Sequence, residues 1–259
     1  LSGYHLGALA RAAGHRLHVH DCLGSTNTEA LERARDGEAG PLWVVAHRQT
    51  AGRGRRGNNW ASLPGNLTAS VLWPVQDVDP AVVPTLGFVA GVGLMAAFRQ
   101  AGVGSIALKW PNDILASGAK LAGLLLEAET LPGGRRCVVM GFGVNVAAAP
   151  EGLPYPATCL RQMRYATRAE DLFVELTDGI VDAARVWDRG RGFSEIRERW
   201  IADAAGLGAR VTVRTGDTRV DGIFETIDGA GRLVVRSEDG TRRTVTAGEV
   251  HLGTAATAA

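Results

Sequence analysis

The sequence predicts an α+β fold: a mixed, mainly antiparallel sheet with helices, followed by a small β-barrel. Three observations carry this expectation. Short apolar runs separated by turn-forming residues dominate the middle of the chain, two long segments repeat their apolar residues at helical period, and beyond Gly206 and Gly208 the texture changes to short alternating runs with dense turns. At 259 residues the chain has room for one large domain or for one large plus one small, and it can bury enough apolar surface to fold without disulfides or metal.

Taken in order, Thr26 and Glu29 read as a capping box, and Ala30, Leu31 and Ala34 continue as a helical stripe, so a helix should start directly after Gly24-Ser25. His18 and His20 before it share one face of a strand, and without further ligands nearby they read as structural rather than metal-binding. Leu42 to Ala46 is an apolar strand that runs into an Arg- and Gly-rich loop from His47 to Trp60. Leu67, Ala69, Val71 and Trp73 alternate at strand period, and Asp79-Pro80 should open a helix reaching about Gly102. Ile106 to Lys109, Leu121 to Glu127 and Cys137 to Val146 read as strands parted by Pro111, Gly118 and Gly133-Gly134. Leu172, Phe173, Leu176, Ile180 and Trp187 define an amphipathic helix from Ala169 to about Trp187, with another from Phe193 to Ala204. The runs around Val211, Val220, Leu233 and Val245 then form the barrel. The expected division is 1–208, 209–253 and a frayed tail at 254–259.

Composition excludes several classes. The 28 basic and 27 acidic residues nearly cancel, so overall charge calls for neither a nucleic-acid nor a membrane partner. The longest apolar run, Gly87 to Phe98, falls short of the roughly 20 residues of a membrane helix and reads as a buried one. Cys22, Cys137 and Cys159 are an odd set without CxxC spacing, and no charged start leads into an apolar run. A cytoplasmic protein is expected.

The sharpest motif is Gly52-Arg53-Gly54-Arg55-Arg56-Gly57, with Gln49 before it and Trp60 after it. Glycines let backbone approach a ligand, arginines supply planar donors for phosphate or carboxylate, and such a loop can order when an anion arrives. Alone, the hexapeptide is equally compatible with a solvated basic loop or an RGG-like nucleic-acid contact. Lys109-Trp110-Pro111-Asn112-Asp113 places a cation and two polar side chains at one strand end, and Lys120-Leu121-Ala122-Gly123 opens the next strand. Each lysine alone reads as a surface charge. GxxxxGK[ST] is not present, and Gly52–Gly57, although spaced as GxGxxG, lies in a loop that opens no helix, so the usual phosphate loops are not found and a nucleotide must be held some other way.

Together with Gly24-Ser25-Thr26-Asn27 and Gly141 to Asn145, these motifs resemble, in order and over about Asp21 to Leu252, the biotin protein ligase (biotin–[acetyl-CoA-carboxylase] ligase) family. Only 24 residues precede Ser25, which matches the form lacking an N-terminal DNA-binding domain. The resemblance implies a class II synthetase-like catalytic domain with an SH3-like C-terminal barrel. It also implies ATP and biotin as substrates, Mg2+ as cofactor, and a biotin carboxyl carrier protein or domain as acceptor. Monomer and homodimer are both allowed. By the same resemblance Ser25, Thr26, Asn27 and Gln49 hold the biotin head group, Gly52 and Arg53 close over it, and Gly123 lets a strand lie against it. Arg55 and Arg56 meet the adenylate phosphate, Trp60 packs on adenine, and Asn145 contacts the adenosine. Lys109, Asn112 and Asp113 serve the nucleotide, with Asp113 on the metal. Lys120 bridges the biotin carboxylate and the α-phosphate, so Lys120 and Arg55 carry the chemistry. Many family members have an arginine just after Gly57, where this chain has Asn58 and Asn59, so one phosphate contact is absent or comes from elsewhere. Two rival readings are a lipoate ligase, whose signature is not found, and a nucleic-acid-binding regulator using the arginine loop.

Overall fold

The computed structural model describes residues 3–252. Its larger part is a seven-stranded sheet built from β1 (Arg16–Leu23), β2 (Leu42–Gln49), β3 (Leu67–Pro74), β4 (Ile106–Lys109), β5 (Asp113–Ala116), β6 (Ala119–Thr130) and β7 (Arg136–Val144), in the spatial order β1-β2-β3-β7-β6-β5-β4. Only β1 and β2 run parallel, joined by the crossover helix α2 (Thr26–Arg35), and every other neighbouring pair is antiparallel. The expected α+β class is what is found.

Strand alternation sorts the side chains onto two faces. Trp43, Val45, Ala69, Val71, Met140 and Phe142 point to the main core, beneath α3 (Leu86–Gln100), α4 (Ala169–Trp187) and α5 (Phe193–Ala202). Leu42, Val44, Leu72 and Val139 point the other way, to a smaller cluster closed by Ala30, Leu31 and Ala34 of α2. Helices α3 and α4 touch through glycine: a Cβ on Gly179 would stand 2.5 Å from the Gly93 carbonyl oxygen. The segment Val83–Gln100 is apolar and long enough to cross a membrane by composition, and 72% of it is buried inside the fold. A one-turn helix, α1 (Ala8–Ala12), packs against α4 and has no apolar period that would announce it.

Beyond Gly208 lie β8 (Arg210–Thr215), β9 (Thr218–Ile227), β10 (Leu233–Arg236), β11 (Arg242–Val245) and β12 (Glu249–Leu252), an antiparallel sheet in the order β11-β10-β9-β8-β12. Among the described residues β11 and β12 are its two edges. Val211, Val213, Phe224 and Leu233 join the main core, and the Trp110 indole N–H donates to the Gly231 carbonyl at 3.3 Å. The expected tail at 254–259 lies outside the described residues.

Several expectations need correction. The N-cap of α2 is Ser25, not Thr26, so Glu29 falls one position beyond a capping box. It pairs instead with Arg33 at 2.7 Å. Asp79-Pro80 forms a turn in which the Asp79 carboxylate accepts from the Ala81 N–H, and a 3-10 turn at Val83–Thr85 containing Pro84 delays the helix to Leu86. The strand begun at Leu42 runs on through His47 to Gln49, inside the stretch expected to be loop. The short strands β5 and β12 were not anticipated, and α5 ends at Ala202 rather than Ala204.

Candidate active site

Past the N-terminus of α2 the same sheet face is left open. Positions that would continue the α2 cluster are taken there by Ser70 of β3, Gly123 of β6, and Gly141 and Gly143 of β7. The glycines are required. A Cβ at Gly141 would lie 2.2 Å from Asn27 Oδ1, and one at Gly143 would lie 2.3 Å from the Trp60 ring. Over this floor stands a cavity of about 610 Å³.

One end of the cavity is polar and uncharged. Ser25, Thr26 and Asn27 enter from the first turn of α2, where each is almost fully buried. The Thr26 N–H, which has no partner within the helix, donates to Gln49 Oε1 at 2.7 Å, so a side chain from the end of β2 supplies the cap that Ser25 does not. Asn27 donates its amide to Glu127 at 2.8 Å and accepts from the Ser70 hydroxyl at 2.6 Å.

The other end is cationic. Lys120 reaches Asp113 at 2.7 Å and lies 5.9 Å and 5.6 Å from the ring centroids of Trp60 and Tyr155. The β4–β5 turn brings Lys109 opposite Asp113 in register, and Asn112 accepts from Arg55 at 3.2 Å while donating to the Leu124 carbonyl at 2.7 Å. Burial, and next to it Arg56, lowers the pKa of the Arg55 guanidinium, against the pull of Asp113. A half-buried cation facing another cation is stabilised by any anion that enters.

The arginine loop is not structureless. The Trp60 N–H donates to Gly52 at 2.9 Å and Gly54 to Asn58 at 2.7 Å, which makes a small hairpin whose tip is the 3-10 turn Arg55–Gly57. Arg53 leans out of it onto Glu127 at 2.9 Å. Arg53, Arg55, Arg56 and Trp60 all line the cavity, as do Asn58 and Asn59.

Two predicted residues stand elsewhere. Gly52 is buried behind Trp60 and does not line the cavity. Asn145 is buried under it, donating to the Thr158 carbonyl at 3.1 Å and meeting Asn66, whose Oδ1 accepts from the N–H groups of Val146, Ala147 and Ala148. Sequence reasoning missed Ser70, Glu127, Asn66 and Tyr155, together with Gly248–Leu252, which form one wall of the cavity. Only Tyr155, between Pro154 and Pro156, carried a local signal: an aromatic held in a rigid exposed turn.

A magnesium ion that arrives with phosphates needs one or two protein carboxylates and keeps waters on its remaining positions. Asp113 fits that requirement: its Oδ1 is buried and close to Lys120, yet it accepts no well-directed hydrogen bond. No group of three or more metal-binding side chains occurs among the described residues, and such a cage is not what this ion uses.

The arrangement can hold a ligand with a polar head, an apolar body and an anionic end, and can neutralise charge gathering at that end. Comparison with known proteins agrees. Residues 19–145 match the biotin/lipoate A/B protein ligase family and residues 206–253 match the biotin protein ligase C-terminal domain. A biotin--[acetyl-CoA-carboxylase] ligase of Paracoccus denitrificans is 38% identical over 240 residues, 88% of this chain and 97% of that protein. One of the same name from Mycobacterium tuberculosis is 34% identical over 88% of this chain and 85% of its own length. The solved biotin protein ligase from Aquifex aeolicus in complex with biotin and ATP superposes with a TM-score of 0.76 at 24% identity, covering 92% of this chain and 98% of that one, a likeness of fold. On these grounds the chain belongs to the biotin protein ligase family.

Proposed function

We propose that this protein activates biotin with ATP and then transfers it to a lysine of a biotin carboxyl carrier protein or domain, of the kind implied by the names of its relatives. The observation that carries the reading is one cavity with an uncharged polar end at Thr26 and Gln49, a glycine floor, and a cationic end at Lys120, Arg55 and Lys109 around the Asp113 carboxylate. In the first step a biotin carboxylate oxygen attacks the α-phosphorus and pyrophosphate leaves, giving biotinyl-5'-AMP. In the second, the acceptor amine attacks the acyl carbon and AMP leaves. Anions converge in the first step, so cations aimed at the phosphoryl oxygens lower its barrier.

Lys120 would bridge carboxylate and α-phosphate, Arg55 and Arg56 would hold the phosphate, and Lys109 and Asn112 would place the nucleotide. Asp113 would hold magnesium, which when bound neutralises phosphate charge. Ser25, Thr26, Asn27 and Gln49 would bind the biotin head, with Arg53 and the Gly52 turn closing the loop. Gly123 would lie against biotin and Trp60 against adenine. The Trp60 ring, packed over Gly143 and lining the cavity, offers the surface for that contact. Asn145 would act from beneath the floor, through the loop it anchors. We further assign 1–208 to catalysis and 209–253 to an SH3-like unit whose last strand walls the site. Balanced charge supports a cycle that needs neither nucleic acid nor membrane, the free thiols of Cys22, Cys137 and Cys159 support a reducing cytoplasm, and a homodimer is compatible with both.

Biotin-dependent exchange of pyrophosphate into ATP tests the assignment. Exchange with biotin and none with lipoate is the expected result; exchange with lipoate alone would assign the lipoate reaction instead, and exchange with neither would overturn the assignment.

A further inference from the structure

Beneath the uncharged end of the cavity runs a chain of polar atoms that ends on a carboxylate. Glu127 accepts from Arg53 Nη2 at 2.9 Å and from Asn27 Nδ2 at 2.8 Å. Because Asn27 turns its NH₂ to Glu127, its Oδ1 faces Ser70 Oγ at 2.6 Å, and Ser70 Oγ stands 2.7 Å from Thr26 Oγ1. Thr26 Oγ1 is in turn 3.0 Å from Gln49 Oε1, which already accepts from the Thr26 N–H at 2.7 Å.

Two hydroxyl protons must serve three oxygen–oxygen contacts. Asn27 Oδ1 and Gln49 Oε1 are carbonyl oxygens and have no proton to give. The two short contacts take the protons: Ser70 donates to Asn27, and Thr26 donates to Ser70. The longest contact, Thr26 Oγ1 to Gln49 Oε1, is left as two acceptors side by side with no proton between them. Such a pair is satisfied by a donor from the cavity.

We propose that Ser70 and Glu127 are positioning residues that set this polarity, so that the pocket demands a ligand N–H at Thr26 and Gln49. The proposal deepens the biotin reading and rests on it. Ser70 is fully buried and Glu127 is tied to Asn27 and Arg53; both act through Asn27 and Thr26. Biotin presents ureido N–H groups. A ligand with an ether oxygen or an apolar ring at that point meets two lone pairs instead. Without Ser70 the Thr26 hydroxyl is released to donate to Gln49 Oε1, 3.0 Å away, so the two acceptors no longer demand a ligand N–H between them, and without Glu127 the Asn27 amide loses what orients it.

The test compares three ligands on the protein by titration calorimetry: biotin, and the two regioisomers of its cyclic carbamate analogue in which one ureido N–H is replaced by oxygen. Wild type should bind the less favoured regioisomer at least about tenfold more weakly than biotin. Ser70→Ala and Glu127→Ala should bind biotin about tenfold more weakly while their preference for biotin over that regioisomer falls to within about threefold. Glu127→Gln, which keeps a carbonyl acceptor for Asn27, should recover most of the preference. A role in packing alone would weaken both ligands equally. An unchanged ratio in the folded alanine variants therefore overturns the proposal and leaves the functional assignment standing. If Ser70→Ala does not fold, the two Glu127 variants decide by the same ratio. Failure of wild type to bind biotin overturns both.

Discussion

Lys120 is held between two aromatic rings and one carboxylate, an arrangement that fixes an ammonium without exhausting its donors. Lys120→Ala should lower adenylate formation about a hundredfold or more. It also strands Asp113, so the control is Lys120→Ala combined with Asp113→Asn. That pair should regain thermal stability, which separates the stranded carboxylate from the lost chemistry, and near-normal exchange by folded Lys120→Ala would remove Lys120 from the chemistry. His15 offers a different residue-scale test. Its Nδ1 accepts from the Trp43 indole at 3.0 Å, and burial, partly offset by Asp178, lowers its pKa from 6.5 to about 4. A histidine with a depressed folded pKa contributes stability above about pH 6.5 that is lost as pH falls toward 4, because the unfolded chain binds the proton first. Urea unfolding should therefore show a loss of about 2 kcal/mol between pH 7 and pH 5 from this group. Most of that slope should vanish in His15→Gln, which keeps an acceptor for Trp43. An identical slope in the variant would place the titration elsewhere. Neither Ser70 nor Glu127 could be read from the chain. A serine within an apolar strand and a glutamate after Leu124, Leu125 and Leu126 look like ordinary strand residues until Asn27 is brought over them by the crossover helix.

Among elements, the arginine hairpin is the one with the most to lose. Arg55 is tied to Asn112 by a single 3.2 Å hydrogen bond, and its tip residue Arg56 has a positive φ of 56°. Arg55→Gly removes a charged contact of about 1.5–3 kcal/mol, one to two decades in release if the loss falls on dissociation. The variant should still make biotinyl-5'-AMP but shed it, so that an unrelated lysine-rich protein becomes biotinylated at equal adenylate synthesis. Equal labelling by both enzymes would show that Arg55 does not retain the intermediate. Asn58 and Asn59 line the cavity without adding charge, which leaves Arg55 a larger share of that retention. Legibility followed element length and period. The helix Ala169–Trp187 was readable to its ends because Leu172, Phe173, Leu176, Ile180 and Trp187 keep the helical period along most of its length. The four-residue strands β5 and β12 offer only two residues per face, too few for a period. The start of α3 was obscured because Asp79-Pro80 is as good a turn as it is a helix opening. The cavity-lining motifs were legible as chemistry, whereas the capping of α2 by Gln49 depended on a partner 23 residues away.

At the scale of the whole molecule, the main apolar core runs from Trp43 through Phe88 and Trp200 on into Val213, Phe224 and Leu233, so unfolding the C-terminal sheet strips cover from the larger part. Scanning calorimetry should show one transition, with calorimetric and van't Hoff enthalpies agreeing. Two resolved transitions would mean that the packing of Gly231 against Phe88 and Trp110 contributes little. The wall formed by Gly248–Leu252 has a consequence in time as well as in space. A ribosome delivers Gly143, the last residue of the floor, about a hundred residues before Val250, an interval on the order of five to twenty seconds at ordinary synthesis rates. Through that interval the floor and the cations of the pocket already exist on the nascent chain, but one side stays open to water. The order of translation thus acts as a safety catch: the side that encloses a reactive mixed anhydride is assembled last, and a half-made enzyme has no closed chamber in which to keep one.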